Sequence, residues 1–487
     1  MRVLSLESYA DRGRSSLEKF LVDCRDLARK KGRFQVASIS LRVRQIDPLA
    51  VLESIFETGE WHFYMEKSAD DWALAGADEV VSCRIDGKDR FERSKAFIQE
   101  ILDNTLAIGD MEVPFAGPHF FCGFTFFDSP GEGSPFPGAA LFLPRWQVAR
   151  AAGGCCAVAN VKVEAGSEVE PLAESVWRAH EKFSAFTYHQ PERPASGHAP
   201  RAEPALTEEV SAGRGDFRFS VERALSDIRS GRYRKIVLAR ALDLRLDRAL
   251  NPLHALNDLR MRYPSCCTYS LANGRGQSFI GASPERLVRV ENGRMSTEAL
   301  AGSTARGRSA ADDACLAEEL LNSPKDRREH AIVLESIARR LRELGLKPEF
   351  PPEPRLLRLS NVQHLHTPVE ARLGTRFHLF DLLATLHPTP AVGGTPREEA
   401  CPVISQLEPF QRGLYAGPMG WINARGEGEF TVAIRSALVD GDRARVFAGA
   451  GIVEGSDPRK EWNETELKFR SLLEVLLREC VRPPATH

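Results

Sequence analysis

Two pairs of carboxylates at helical spacing are the residues of this chain that could most readily do chemistry. Glu461 and Glu464 are three residues apart and Lys468 follows four residues later, so all three share one face of a helix. Asp326 and Glu329 repeat this spacing in a second helical segment. Two such faces could enclose Mg²⁺, which prefers oxygen ligands. Acids at this spacing are also common as solvated charges, and the spacing alone leaves both interpretations open.

A strand and a glycine-bearing turn, FAGAGIVEGSDP, precede the first of these helices. Ser456 or Asp457 could cap the helix, with Pro458 in its first turn. Backbone N–H groups at Gly449 and Gly451 could approach an anion, because glycine presents no side chain there. The sequence therefore predicts that the carboxylate helix begins beside an anion-binding turn.

The composition predicts a soluble globular protein without nucleic acid or membrane as a partner. The 487 residues are 43% hydrophobic and 27% charged, with a net charge of -2 and no basic run. The chain carries no secretory signal and no apolar stretch of membrane-spanning length, so we expect a cytoplasmic protein. Its ten cysteines include no CxxC pair, which favours small buried side chains over a zinc site or a disulfide framework.

The elements that must position the acids alternate between strands and helices. Strand-like text covers VASISLRVRQI, WHFYMEKS, KIVLARALDLRL and much of 278–302 and 428–453, and helical text covers about 9–33, 217–231, 252–263, 312–345 and 458–480. Many hairpins with interspersed helices favour an α+β architecture. Residues 189–216 are rich in Pro, Ala and Gly and predict a linker or surface crossing. We expect a variable part over 1–215 and a catalytic region over 216–487, within one compact structural domain.

Nine motifs in order carry a family resemblance over roughly residues 216–480: KIVLAR, GASPERL, TEALAGSTARG, REH, VQHL, LHPTPAVGG, GLYAGPMGW, AIRS and GAGIVEGSDPRKEWNETELK. Together they resemble the chorismate-utilising enzymes, namely the anthranilate, aminodeoxychorismate, isochorismate and salicylate synthases. Earlier stretches such as WHFYMEKS resemble the N-terminal part of isochorismate synthases. The resemblance implies an aminodeoxychorismate synthase-like fold, with large, mostly antiparallel sheets forming a sandwich core and helices packed outside.

The resemblance also implies a role for each matched residue. Lys235 would be the general base and Glu285 the general acid. Glu329 and Glu464 would hold Mg²⁺, with Glu461 and Asp326 in outer positions around it. Chorismate, a dianion, would be bound by Gly302, Ser303, His364, Ala391, Tyr415, Arg435, Gly449, Ala450, Gly451 and Lys468. Without the motifs, Lys235 would be interpreted as a snorkelling lysine, Glu285 as part of a surface turn and His364 as a structural residue.

Two features distinguish between the reactions of the family. Lys235 and the TEALAG text favour water as the nucleophile, so we expect no glutamine amidotransferase partner, and a monomer is the default. At the position of Ala391, salicylate synthases and the ammonia-using members of the family tend to carry a threonine. The absence of that hydroxyl in this chain favours release of isochorismate. Salicylate synthase remains the alternative. The sequence leaves open whether menaquinone, a siderophore or salicylate is made from the product.

Overall fold

The computed structural model describes residues 1–3, 13–55, 59–184, 206–212, 217–374 and 377–481. Its α-helices are Arg14–Lys31 (α1), Pro48–Ile55 (α2), Arg90–Asp103 (α3), Val169–Ser184 (α4), Phe217–Arg229 (α5), Pro252–Arg262 (α6), Ala310–Asn322 (α7), Pro324–Glu343 (α8), Leu379–Leu386 (α9), Arg397–Leu407 (α10) and Pro458–Val481 (α11).

The strands of the N-terminal part are Arg2–Val3 (β1), Gln35–Val43 (β2), Trp61–Lys67 (β3), Trp72–Ile85 (β4), Thr105–Gly109 (β5), His119–Phe124 (β6), Ala139–Ala151 (β7), Gly154–Val163 (β8) and Leu206–Ala212 (β9). Those that follow are Lys235–Leu246 (β10), Cys267–Asn273 (β11), Gln277–Ser283 (β12), Arg286–Glu291 (β13), Arg294–Ala305 (β14), Arg355–Arg358 (β15), Val362–Arg372 (β16), Gly394–Thr395 (β17), Pro418–Asn423 (β18), Gly428–Val432 (β19), Ser436–Asp440 (β20) and Arg443–Val453 (β21).

Two arms of antiparallel strands meet in β7. One arm runs through the neighbours β10, β21, β20, β12, β11, β3, β4 and β7. The other runs through β7, β6, β18, β19, β13, β14, β16 and β15. Parallel pairing occurs where β5 lies beside β1 and β2. These pairings confirm the predicted α+β class with a mostly antiparallel sheet.

The fork lies in the middle of β7. Along one edge, β7 pairs with β4 over nearly its whole length. Along the other edge, Ala139–Phe142 pair with β6 and Trp146–Ala151 pair with β8. A bulge in β4, between Glu79 and Val81, lies opposite this change of partner. Bulges bend a strand and increase its twist, so the fork is the place where the two arms diverge.

An apolar core fills the space between the arms and confirms the predicted sandwich. The largest buried cluster combines side chains of both arms with those of α8, α9 and α10. Phe63 of one arm stacks on Phe121 of the other, with ring centroids 4.5 Å apart. Helices pack outside: α8 lies on β14 and β16, and α11 lies on β21. The two carboxylate helices therefore cover the two strand pairs, β14 with β16 and β10 with β21, that carry most of the matched motifs.

Each carboxylate helix buries one stripe of its surface. In α8 the buried residues include Glu329, Val333, Ile337 and Leu341, which recur every four positions. The apolar members of this stripe anchor the helix, and Glu329 is buried with them near its N-terminal end. In α11, Glu461 heads a corresponding buried stripe that includes Phe469, Leu472 and Leu476. The apolar periodicity of each helix thus turns its acids toward the sheet.

Two sequence-based predictions about the elements are wrong. Residues 312–345 were expected to form a single helical stretch, but they form α7 and α8, because Ser323 ends α7 and caps α8 just before Pro324. The expected linker over 189–216 contains β9, which pairs with β10; its remaining residues, 189–205 and 213–216, lie outside the described part of the chain. At α11, Asp457 provides the cap, since its Oδ1 accepts the N–H groups of Arg459 and Lys460.

Cysteine placement agrees with the composition. Of the nine cysteines whose side chains the structure describes, six are buried and none forms a disulfide. Within the same ranges, no helix is both long and apolar enough to cross a membrane.

Candidate active site

A pocket opens between the paired strands β10 and β21, the paired strands β14 and β16, and the helices α8 and α11. The predicted site residues that line it are Glu285, Gly302, Ser303, Glu329, His364, Ala391, Tyr415, Arg435, Gly449, Gly451, Glu464 and Lys468. Apolar side chains that the sequence analysis did not single out complete the wall: Val237, Leu300, Ile434 and Phe447. The matched motifs, although scattered over more than 200 residues of sequence, thus converge on one cavity.

Four predicted residues stand behind the wall of the pocket. Lys235 is fully buried, and its Nζ lies 2.8 Å from Glu329 Oε1. Asp326 is hydrogen-bonded to the Ser323 hydroxyl, and Glu461 Oε1 accepts a hydrogen bond of 2.8 Å from Lys325. The side chain of Ala450 belongs to the apolar core, because successive residues of β21 point to opposite faces. Ala450 can therefore contribute only its backbone to a bound ligand.

Gly451 allows Lys235 and Glu329 to meet. A Cβ atom at this position would lie 2.3 Å from Glu329 Oε1 and 3.2 Å from Lys235 Cε. Any side chain there would push one of the two groups away. Burial alone would raise the pKa of Glu329, but the charge and hydrogen bond of Lys235 lower it. Glu329 is consequently an ionised carboxylate at the pocket wall.

Glu285 differs from Glu329 and Glu464, the other acids that line the pocket, because it forms no ion pair with the residues that the structure describes. It is 4% exposed, and its carbonyl oxygen accepts hydrogen bonds from Val432 N at 3.0 Å and Thr431 Oγ1 at 2.6 Å. Burial, and after it the charge of Glu298, raises the pKa of Glu285 to about 8, although Lys235 and Lys468 act in the opposite direction. Glu285 is therefore a neutral carboxylic acid at pH 7 and can donate a proton.

Cationic and neutral donors face the same cavity. The Arg435 residue adopts a left-handed backbone (φ 52°), an uncommon conformation that costs energy and often marks a functional position. Its guanidinium lines the pocket and makes no hydrogen bond or ion pair with the residues described by the structure. Lys468 Nζ donates to Glu464 Oε1 at 2.6 Å and to Gly449 O at 2.8 Å. These two cations could pair with the carboxylates of an anionic ligand.

His364 is not a satisfied structural histidine. Its Nδ1 lies 2.8 Å from Ser303 Oγ, whereas its Nε2 is buried without a partner. Burial holds the pKa of His364 well below its usual value, so the imidazole is neutral. A buried unpaired ring nitrogen in a pocket wall is costly unless a ligand satisfies it. This geometry fits the predicted binding role and not that of an acid.

The four carboxylates of α8 and α11 form a donor set that suits a hard cation. Burial is the largest cause that raises the pKa values of Asp326 and Glu461, and the charge of Glu464 raises both further. A divalent cation would relieve this repulsion between the acids. Among the described residues, no three His, Cys, Asp or Glu side chains lie close enough to hold a metal alone. Mg²⁺ commonly takes only one or two protein carboxylates and fills its other positions with water and substrate oxygens.

Three further polar residues of the site were not singled out from sequence. Thr389 belongs to LHPTPAVGG and is buried beside Glu285. Glu408 and Arg412 form a fully buried ion pair behind the pocket. Their four-residue spacing, directly before GLYAGPMGW, was visible in the sequence, but it could not reveal that both side chains are buried.

Comparison with known proteins identifies relatives of this chain. The family described as chorismate binding enzyme matches residues 19–477. Isochorismate synthase MenF of Bacillus subtilis is 36% identical over 74% of this chain and 75% of that protein. The salicylate biosynthesis isochorismate synthase of Pseudomonas aeruginosa is 44% identical over 54% of this chain and 55% of that protein.

A solved structure shows the same fold. The structure of MenF, the menaquinone-specific isochorismate synthase from Escherichia coli, superimposes with a TM-score of 0.73 at 27% identity and covers 94% of this chain and 99% of that one. The family match spans both arms of the sheet and every residue of the pocket. The chain therefore belongs to the chorismate binding enzyme family, the chorismate-utilising enzymes that include the isochorismate synthases.

Proposed function

We propose that this protein is an isochorismate synthase that converts chorismate to isochorismate in the presence of Mg²⁺. Water adds its oxygen to ring C2, the ring double bonds shift, and the C4 hydroxyl leaves as water. One water is consumed and one is released, so the reaction is an isomerisation. The observation that carries this proposal is the buried carboxyl of Glu285, which forms no ion pair with the described residues, in a pocket whose other lining acids, Glu329 and Glu464, are each paired with a lysine.

Glu285 would supply the proton that the departing C4 oxygen needs. Hydroxide is a poor leaving group, and a buried acid whose pKa is about 8 remains protonated at physiological pH until the C4–O bond breaks. Its backbone carbonyl oxygen accepts hydrogen bonds from Thr431 and Val432, which fix the position from which the side chain extends. General acid catalysis by a positioned group typically contributes ~10²–10⁴-fold to the rate.

Lys235 would accept the proton of the attacking water. Its position is set by the hydrogen bond to Glu329 and by the pairing of β10 with β21. The base role requires the neutral form of Lys235, in which the amine can donate one N–H to Glu329 and still present its lone pair to a water molecule. Val237 lies two residues further along β10, on the same face of the strand as Lys235, and it lines the pocket. The strand that carries Lys235 therefore lies against the cavity.

The substrate's two carboxylates would be bound by Arg435, Lys468 and the pocket-facing backbone of β21. His364 Nε2 would donate to a substrate oxygen when Ser303 Oγ donates to Nδ1. Glu329 and Glu464 are the residues that would hold Mg²⁺, with Asp326 and Glu461 behind them. When bound, Mg²⁺ would offset the negative charge of these acids and of the ring carboxylate.

Incubation of the purified protein with chorismate and Mg²⁺, followed by chromatography, tests the proposal. We expect isochorismate to accumulate without ammonium or a partner protein. Lys235→Ala and Glu285→Gln should each reduce turnover by ~10²–10⁴-fold, whereas Lys347→Ala, which changes an exposed lysine, should not. A product that forms only with ammonium would refute the proposal.

The side chain at position 391 distinguishes the proposed function from salicylate synthesis. Ala391 lines the pocket and offers no hydroxyl to assist loss of pyruvate from isochorismate. We expect Ala391→Thr to divert part of the product to salicylate, which is detected by its fluorescence. Direct formation of salicylate by the unmodified protein would instead favour the alternative function.

A further inference from the structure

A second carboxylate, Glu298, lies behind the proposed acid. Glu298 Oε1 accepts a hydrogen bond of 2.6 Å from the backbone N–H of Arg286, the residue that follows Glu285. The side chain of Glu298 is only 15% exposed. Glu298 and Leu300 lie on the same face of β14, and Leu300 lines the pocket. The carboxylate of Glu298 thus lies against the peptide N–H that directly follows Glu285.

The surroundings of Glu298 keep it ionised. His366, on the neighbouring strand β16, places Nε2 2.8 Å from Glu298 Oε2. Burial alone would raise the pKa of Glu298, but the hydrogen bond and charge of His366, the Arg286 N–H and the Arg286 guanidinium lower it. A buried carboxylate that accepts hydrogen bonds at both oxygens retains its negative charge.

Charged groups from three other elements face Glu285. Lys235 of β10 and Lys468 of α11 favour its ionised form, and the hydroxyl of Thr389 acts in the same direction. Glu298 of β14 is the like charge that opposes them. Tyr415 also lies near and is uncharged, since burial raises its pKa to about 12. The two lysines would otherwise promote loss of the proton that Glu285 must deliver.

We propose that Glu298 is a positioning residue that keeps the Glu285 carboxyl protonated and thereby sets the upper pH limit of the reaction. This inference rests on the proposed function, in which Glu285 is the general acid. The negative charge of Glu298, held by His366 and the Arg286 N–H, makes a second negative charge on Glu285 unfavourable. The hydrogen bond to the peptide N–H of Arg286 also holds the Glu298 carboxylate beside the backbone that carries Glu285.

Glu298→Gln tests this proposal, because it removes the charge and preserves the size and the acceptor for Arg286 N–H. We expect the alkaline limb of the kcat/KM profile to move to lower pH by on the order of one unit, with activity on the acid side retained. Glu370→Gln is the matched control: Glu370 lies on β16, the strand paired with β14, it is exposed, and its Oε2 lies 3.9 Å from the guanidinium of Arg294. It should leave the profile unchanged.

A second readout does not depend on turnover. The carbonyl stretch of protonated Glu285 can be followed by infrared spectroscopy across pH and assigned by its loss in Glu285→Gln. Glu298→Gln should shift this titration to lower pH, and Glu298→Asp, which keeps the charge, should shift it less. An unchanged titration and an unchanged alkaline limb in folded Glu298→Gln would overturn the proposal.

These outcomes also separate the inference from the function on which it rests. If the unmodified protein made no isochorismate, the proposed function would fail, but the infrared titration would still report whether Glu298 controls the Glu285 proton. If Glu298→Gln lowered activity equally at every pH and left the titration in place, the role of Glu298 would be structural and the inference would be wrong. Should Glu298→Gln fail to fold, the infrared titration of Glu285 is compared between Glu298→Asp and the unmodified protein. A titration moved to lower pH supports the inference, and an unchanged titration contradicts it.

Discussion

Replacement of Arg412 by Met removes a buried cation that joins two walls of the pocket. The side chain of Arg412 is 1% exposed, and its guanidinium donates to the Glu408 carboxylate at 2.8 and 2.5 Å. It also donates to the carbonyl oxygens of Val392 and Val237, both at 2.8 Å. Val392 belongs to the loop of Ala391, and Val237 belongs to the strand of Lys235. One guanidinium therefore holds the loop and the strand together.

The loss of stability in Arg412→Met can be estimated from the buried carboxylate of Glu408, which the substitution leaves without its cation. Glu408 would keep only the N–H of Ala239, at 2.7 Å, as a partner for a carboxylate that is 3% exposed. Removal of one partner from a buried ion pair costs ~3–5 kcal/mol, because the remaining charge is uncompensated. Arg339 and Glu343 share the four-residue spacing but are 55% and 59% exposed. Loss of such an exposed pair costs only ~0.3–0.5 kcal/mol.

Equilibrium urea unfolding measures both effects as changes in the free energy of unfolding. We expect Arg412→Met to lose several kcal/mol and Arg339→Met to lose a few tenths. A double variant, Arg412→Met with Glu408→Met, should lose less than the sum of the single variants, since no charge is left buried. If Arg412→Met were no more destabilising than Arg339→Met, the assignment of Arg412 as the clamp between loop and strand would be refuted.

Three further predictions concern the pocket itself. The kcat/KM for chorismate should fall as pH rises above about 8, because Glu285, whose pKa is raised to that value, then loses the proton it must donate; a flat profile to pH 10 would contradict this. Removal of divalent cations with EDTA should abolish turnover and added Mg²⁺ should restore it, with Glu464→Gln requiring more Mg²⁺ in the same titration. Gly451→Ala should lower kcat/KM at least ~10-fold, because the added Cβ would lie 2.3 Å from Glu329 Oε1. Gly166→Ala is the control and should retain full activity, because no atom lies within 4 Å of the Cβ that it adds.

Much of the fold and the site could be predicted because the sequence patterns reflect burial directly. The text KIVLARALDLRL corresponds to β10, and the helical text at the C-terminus corresponds to α11. Carboxylates spaced three apart on α8 and α11 face the sheet because apolar residues at the same periodicity anchor each helix. The order of the motifs predicted that these helices meet at one site, since it identified a family in which they do.

Contacts between distant segments could not be predicted in the same way. Lys235 and Glu329 are 94 residues apart, and their hydrogen bond depends on the space left by Gly451 on a third element. The influence of Glu298 on Glu285 requires β13 and β14 to pair and Arg286 N–H to lie between the two acids. Sequence spacing carries no information about such tertiary geometry, so the charge state of Glu285 became visible only in the structure.

The fork in β7 limits how the chain can accept insertions and deletions. Side chains alternate between the two faces of a strand, so one added residue would move every side chain beyond it to the opposite face. An insertion between Leu143 and Trp146 would leave the pairing with β6 intact but would shift the pairing with β8, while β4 would have to satisfy both registers at once. Insertions or deletions in this short segment should therefore prevent correct folding of the sheet, although the segment lies far in sequence from every catalytic motif.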